Sequence, residues 1–106
     1  MANVVTAPIV DRLIVALEKI AALPEGTAIT VAHNEDEDTA CIFFGDGEMT
    51  YGKHIAEFAA RELPLVVSTL LSVAENDAGN PLIHDIINLA NGFNAVLKAI
   101  LAKNGA

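Results

Sequence analysis

The sequence predicts a single α+β domain in which a small antiparallel sheet packs against helices. Three observations indicate this class: an amphipathic helical pattern near the N-terminus, two short β-branched segments around an acidic turn, and two longer helical patterns further on. The predicted order is an N-terminal helix, a two- or three-stranded antiparallel meander, a proline-broken helix and a long C-terminal helix. All 106 residues fit one domain, with residues 1–7 as a loose lead-in.

The first helix is predicted from Pro8 to about Leu23. Proline suits the first turn of a helix, because its missing N–H has no partner there in any case. Pro24 and Gly26 then favour a turn. The apolar residues recur at steps of three and four and form one stripe: Ile9, Val10, Leu13, Ile14, Leu17, Ile20 and Ala21.

A β-hairpin is predicted next. Thr27–His33 and Thr39–Gly45 are rich in β-branched and aromatic residues and roughly alternate in polarity. Asn34–Asp38 is the loop between them and points into water. Glu48–Tyr51 is a candidate short third strand after the glycine-rich turn that precedes it.

A helix is predicted over Lys53–Ala74, with Pro64 inside it. Because proline cannot donate a backbone hydrogen bond, we expect either a kink or two helices, the second opening at Leu63 or Pro64. The apolar stripe consists of Ile55, Phe58, Ala59, Leu63, Val66, Val67, Leu70, Leu71 and Ala74.

The last helix is predicted from about Pro81 to Lys103, after a loop over Glu75–Pro81. Gly92 lies in its middle, where glycine costs about 1 kcal/mol relative to alanine. Gly92 therefore either marks a close approach between helices or is simply tolerated.

The charge composition limits the kind of partner that is expected. The net charge is −8, and the chain has only six Lys and Arg residues, which are scattered. Nucleic-acid binding depends on clustered cations, so direct nucleic-acid binding is not expected and a basic protein partner is favoured.

Hydrophobic residues make up 53% of the chain, which is more than a small core easily buries. We expect a homo-oligomer that associates through apolar helix faces, unless these faces pack within one copy. The positions concerned are Val66 and Val67, Leu70 and Leu71, Leu82 and Ile83, and Ile86 and Ile87.

Three features favour a cytoplasmic location without membrane contact. Cys41 is the only cysteine, which excludes an internal disulfide, and a buried structural thiol is its expected role. The N-terminus lacks the pattern of a secretory signal. The most apolar run is shorter than the ~20 residues that cross a bilayer.

Residue patterns typical of catalysis are absent from the sequence. No glycine-rich phosphate loop is present, and His33, His54 and His84 do not have the spacing of a metal site. We therefore expect a protein that is not an enzyme and needs neither a metal nor a cofactor.

The most distinctive chemical feature is a cluster of acidic residues with no Lys or Arg among them. Such carboxylates can attract a basic protein surface over long range, although a turn can also carry charge merely to stay solvated. We expect a non-enzymatic interaction protein that binds its partner through Glu35, Asp36, Glu37, Asp38, Asp46 and Glu48.

The alternative function is binding of a small ligand, an anion or a nucleotide. Free N–H groups and a positive dipole end gather at a helix start, and residues 51–54 are predicted to lie at one. The polar contacts would come from Tyr51, Lys53, His54 and Arg61.

The segment HIAEFAARELPLVVSTLLSVAE, within Lys53–Glu75, resembles small uncharacterised proteins of bacteriophages and prophages. The matching features are an Ala-Glu-Phe core, an alanine-rich step, a Leu-Pro pair and a leucine-rich helix. The resemblance implies a phage setting and no agreed activity. A phage protein of this kind could inhibit a host enzyme or defence system by covering a basic surface.

Overall fold

The computed structural model describes residues 3–45 and 54–105. It contains helix α1 (Asn3–Ala21), strands β1 (Ala28–Asn34), β2 (Thr39–Gly45) and β3 (His54–Ala59), a short 3-10 helix (Ala60–Glu62), and helices α2 (Leu63–Asn76) and α3 (Ile83–Gly105). The strands form an antiparallel sheet in the order β1-β2-β3. The α+β class, the meander and the order of elements are therefore confirmed.

Helix α1 starts earlier than predicted. Asn3 to Ala7 are helical, and only Met1 and Ala2 of the predicted lead-in lie outside the described residues. Pro8 forfeits a single hydrogen bond, to the carbonyl four residues before it, near the helix start. The helix can therefore continue through this proline.

Strand β3 replaces the predicted start of the second helix, Lys53–Ala74. The prediction of a helix from Lys53 is wrong for residues 54–59, which pair with β2. Ile55 and Phe58 are three residues apart, as on a helix face, and both are buried. In a regular strand they would face opposite sides. An irregular register, in which Ile42 pairs with Ala56 and Phe43 with His54, skips Ile55 and lets both reach the core.

The predicted third strand at Glu48–Tyr51 lies outside the described residues, as does Lys53. Pro64 lies in the first turn of α2, directly after the 3-10 helix. This confirms the prediction that a helix opens at Leu63 or Pro64, because proline is tolerated where N–H groups have no helical partner.

One hydrophobic core joins the helices to one face of the sheet. Ala40, Ile42 and Phe58 reach it from the sheet. The rings of Phe58 and Phe93 meet edge to face, with centroids 5.7 Å apart. The helices contribute Ile9, Leu13, Ala16, Ile20, Leu63, Val66, Leu70, Ile86, Leu89, Ala90, Phe93, Val96 and Ile100.

Helix α3 packs on β1, and Gly92 makes this contact possible. A Cβ atom at residue 92 would lie 2.9 Å from both Cβ and Cγ2 of Val31, closer than such atoms normally approach. Gly92 is therefore a close-approach position, as one of the two predictions held. The partner is a strand, however, and not a second helix.

Candidate functional site

The acidic turn, Glu35–Asp38, joins β1 to β2. The Asn34 side-chain oxygen accepts hydrogen bonds from the backbone N–H groups of Asp36 (3.1 Å) and Glu37 (3.4 Å). Asp38 has φ of 51°, in the left-handed region that Asp tolerates better than most residues. These features define the path of the backbone through the turn.

Asp38 attaches the acidic turn to the rest of the molecule. Its Oδ1 lies 3.4 Å from His33 Nε2 and 3.3 Å from Lys103 Nζ, near the end of α3. Lys103 Nζ also lies 3.5 Å from the Glu35 carbonyl oxygen. Asp38 is half-buried, so its role here is to hold the turn.

Glu35, Asp36 and Glu37 are exposed. Within the part of the chain that the structure describes, no cation contacts their carboxylates. The structure therefore brings together four of the predicted partner-binding residues and separates them by role: Asp38 is engaged internally and the other three face solvent. Asp46 and Glu48, also predicted for this surface, lie outside the described residues.

The structure places the two described residues of the alternative ligand site, His54 and Arg61, on different elements. His54 begins β3, and the helical structure begins only at Ala60. Arg61 lies in the 3-10 helix and is exposed. Tyr51 and Lys53 lie outside the described residues. The prediction that a helix starts at residues 51–54 is therefore wrong at His54, which lies in a strand.

Arg12, on α1, is the centre of a polar network that sequence analysis missed. Its guanidinium forms an ion pair with Glu62 at 2.9 Å and donates a hydrogen bond to the Glu57 carbonyl. The same group lies over the Phe58 ring, 4.6 Å from the centroid, in a cation–π contact. Glu62 in turn accepts a hydrogen bond from the Ala59 N–H at 2.8 Å.

This network occupies part of the outer edge of β3. Ala60 donates its N–H to the Asp38 carbonyl, and hydrogen-bonded pairs alternate along an antiparallel ladder. The N–H and C=O groups of Glu57 and Ala59 therefore face away from β2. Arg12 takes the carbonyl of Glu57 and Glu62 takes the N–H of Ala59, as a neighbouring strand would.

Cys41 and Glu57 face each other across β2 and β3 on the side of the sheet opposite the core residues Ala40 and Phe58. Burial, and then the Glu57 carboxylate, raise the pKa of the Cys41 thiol. Thr39 donates a hydrogen bond to Glu57 at 2.6 Å. Cys41 is a buried free thiol, as predicted, and the raised pKa disfavours the reactive thiolate.

Over residues 3–45 and 54–105, no group of His, Cys, Asp and Glu side chains is arranged to hold a metal ion. Among the helices in the same ranges, none has the length and apolar character needed to cross a membrane.

Comparison with known proteins gives no relative from which a function could be transferred. No protein-family model, curated protein or solved structure matches the chain significantly. The resemblance to phage proteins therefore stays a prediction. From its fold and its candidate site, the chain is a small α+β protein with an anchored acidic turn.

Proposed function

We propose that this protein is a non-enzymatic interaction module that binds a basic surface of a partner protein through the acidic turn. The observation that supports this proposal most directly is that some residues of the turn are anchored to the protein while others face solvent. Asn34, His33 and Lys103 hold its backbone and Asp38, while the carboxylates of Glu35, Asp36 and Glu37 remain exposed. The anchoring holds the three exposed carboxylates in one arrangement that a partner surface can complement.

Anchoring matters energetically because a partner need not order the backbone of the turn when it binds. Fixing one residue costs roughly 1–2 kcal/mol, so a turn already ordered retains more of its contact energy as affinity. The net charge of −8 adds a long-range attraction for cationic surfaces and raises the association rate at low salt. The proposal relies on Glu35, Asp36 and Glu37, because Gly45, the last described residue before Asp46 and Glu48, lies at the end of β2 opposite the turn.

The proposed setting is a bacteriophage, in keeping with the resemblance of residues 53–75. A compact acidic protein of this kind would inhibit a host enzyme or defence system by covering its basic surface. In this proposal the protein acts in the cytoplasm and does not bind nucleic acid directly, because phosphate binding requires clustered cations.

The test compares two variants of equal charge. The turn variant carries Glu35→Gln, Asp36→Asn and Glu37→Gln, and spares Asp38 because it anchors the turn. The control variant carries Asp11→Asn, Glu18→Gln and Glu75→Gln, all exposed positions away from the turn. Each immobilised protein is incubated with a bacterial lysate at low and moderate salt, and retained proteins are identified by mass spectrometry.

We expect a basic protein to be retained by the wild type and by the control variant, and to be lost from the turn variant and at moderate salt. In a purified complex the turn variant should bind about tenfold more weakly, since each of three lost charge contacts contributes ~0.5 kcal/mol and together they contribute ~1.5 kcal/mol. Equal losses in both variants would mean that net charge alone attracts the partner. Retention of the same proteins by all three would remove the acidic turn from the proposal.

A further inference from the structure

The two edges of the sheet differ in how their backbone groups are satisfied. β2 directs the N–H and C=O groups of Ala40 and Ile42 toward β3, so those of Thr39 and Cys41 face β1. In β1, the partners of these residues are Asn34 and Ala32. The alternate β1 residues, Ile29, Val31 and His33, therefore direct their N–H and C=O groups away from the sheet.

We call the backbone groups of Ile29, Val31 and His33 the open edge. Within residues 3–45 and 54–105, none of them has a hydrogen-bond partner. On the β3 edge, by contrast, Arg12 and Glu62 occupy the Glu57 carbonyl and the Ala59 N–H, as described above. The sheet thus protects one edge with side chains and leaves the other available.

The sequence of β1 lacks the devices by which proteins usually prevent edge pairing. Ala28–Ala32 contains no proline, charge or glycine, and its register with β2 is regular. Val31 lies against Gly92, so α3 supports the strand from the core side. A regular, uncharged and supported edge is a template for one more strand.

Acidic residues flank the open edge at both ends. The acidic turn follows β1, with Glu35, Asp36 and Glu37 exposed. Near the start of β1, Glu25 and Asp85 line a groove of about 220 Å³ together with Ile29. The edge between them carries no charge, so a complementary segment would be uncharged in its centre and basic at its ends.

We infer that β1 accepts an extended segment of the partner protein as a fourth strand, and that this segment has β-branched residues flanked by Lys or Arg. The inference deepens the proposed function and rests on it for the charge of the ligand. A seven-residue strand spans roughly 20 Å, so the basic flanks should lie about six residues apart.

A second copy of this chain fits the open edge poorly. In an antiparallel pairing of two β1 strands, both α3 helices would lie on the same side of the joined sheet. The strands would be about 4.8 Å apart, whereas packed helices need 8–10 Å between axes. Because α3 packs on β1, with Gly92 against Val31, such a pairing would bring the two α3 helices toward each other on one side of the sheet. An isolated extended segment meets no such obstacle.

The probe is the synthetic peptide KKTVTVTKK, titrated into the full-length ¹⁵N-labelled protein while amide chemical shifts are recorded. The first control peptide has its central amides N-methylated, which keeps side chains and charge but removes the donors on both strand edges. The second, EETVTVTEE, reverses the charge. We expect shift changes at Ile29, Val31 and His33, and binding at least about tenfold weaker for each control peptide.

The outcomes separate the two proposals. If the N-methylated peptide binds as well as the parent and only the acidic turn responds, strand addition is wrong while the acidic surface stands. If EETVTVTEE binds equally and perturbs the open edge, the edge binds strands but the charge argument, and with it the proposed function, fails. Absence of binding at millimolar peptide, or changes confined to β3, would overturn the inference. Concentration-dependent shifts at Val31 without peptide would assign the edge to a second copy.

Discussion

At the scale of single residues, Gly92 shows how one missing side chain determines a packing distance. Two effects of Gly92→Ala oppose each other. Alanine is better than glycine within a helix by about 1 kcal/mol, but overpacking a close contact costs roughly 1–3 kcal/mol. The added Cβ would lie 2.9 Å from two atoms of Val31, one of which is Cβ itself and cannot move by side-chain rotation. We therefore expect a net loss of up to ~2 kcal/mol in the free energy of unfolding, measured by urea denaturation.

Gly79→Ala is the matched control. A Cβ at residue 79 would meet no atom within 4 Å, and its φ is not in the positive range. This variant should be neutral or slightly stabilising, because alanine restricts the unfolded chain more than glycine does. Gly92→Ala at least as stable as wild type would show that α3 and β1 are not in such close contact.

At the scale of elements, the Arg12–Glu62 pair links α1, β3 and the 3-10 helix. Arg12→Met keeps a long unbranched side chain and removes the guanidinium, and with it the ion pair to Glu62 and the cation–π contact with Phe58. We expect a loss of only ~1–2 kcal/mol, because the Arg12 side chain is 45% exposed and solvent screens its ion pair. The larger effect should be on association, since the Glu57 carbonyl at the β3 edge becomes available. We therefore expect Thioflavin T fluorescence, which reports β-sheet aggregation, to rise during prolonged incubation of Arg12→Met and not of the wild type.

Two further variants separate the effect of the positive charge of Arg12 from the effect of its guanidinium hydrogen bonds. Arg61→Met removes one exposed cation from the neighbouring 3-10 helix and should leave both stability and fluorescence unchanged. Arg12→Lys keeps the charge but cannot bond Glu62 and the Glu57 carbonyl in the same planar geometry, so it should resemble Arg12→Met. If Arg12→Lys instead behaves as wild type, the charge and not the bonded network protects the edge.

The same elements show what the sequence could and could not predict. β1 and β2 were predicted because β-branched alternation and turn residues are local signals, and α1 and α3 because their apolar periods are long. β3 was not, because its buried residues Ile55 and Phe58 are three positions apart, a spacing typical of a helix. A strand can bury both only through the register irregularity, which the sequence does not reveal. The acidic turn was visible in composition, whereas its anchoring by Lys103 was not. The Arg12–Glu62 pair joins residues 50 positions apart, for which a single sequence carries no signal.

At the scale of the whole molecule, the expected homo-oligomer remains a prediction. Two of the apolar doublets have one residue in the core and one at the surface: Leu70 and Ile86 are buried, while Leu71 and Ile87 are 48% and 40% exposed. We expect these two exposed residues to promote self-association that sedimentation velocity detects. Replacing both with Ser should raise the dissociation constant by about tenfold or more, since each partly exposed side chain contributes on the order of 1 kcal/mol when covered. Val15→Ser on α1, at 49% exposure, is the matched control and should have little effect.

Salt distinguishes this self-association from partner binding. Copies that each carry a net charge of −8 repel one another, so raising the ionic strength from ~0.05 to ~0.5 M should strengthen an apolar interface between them. The same change should weaken binding of a basic segment at the acidic turn, where opposite charges attract. Opposite salt responses would therefore assign the two associations to different surfaces. If both weaken with salt, self-association also depends on charge pairs, and the helix faces are not its main contact.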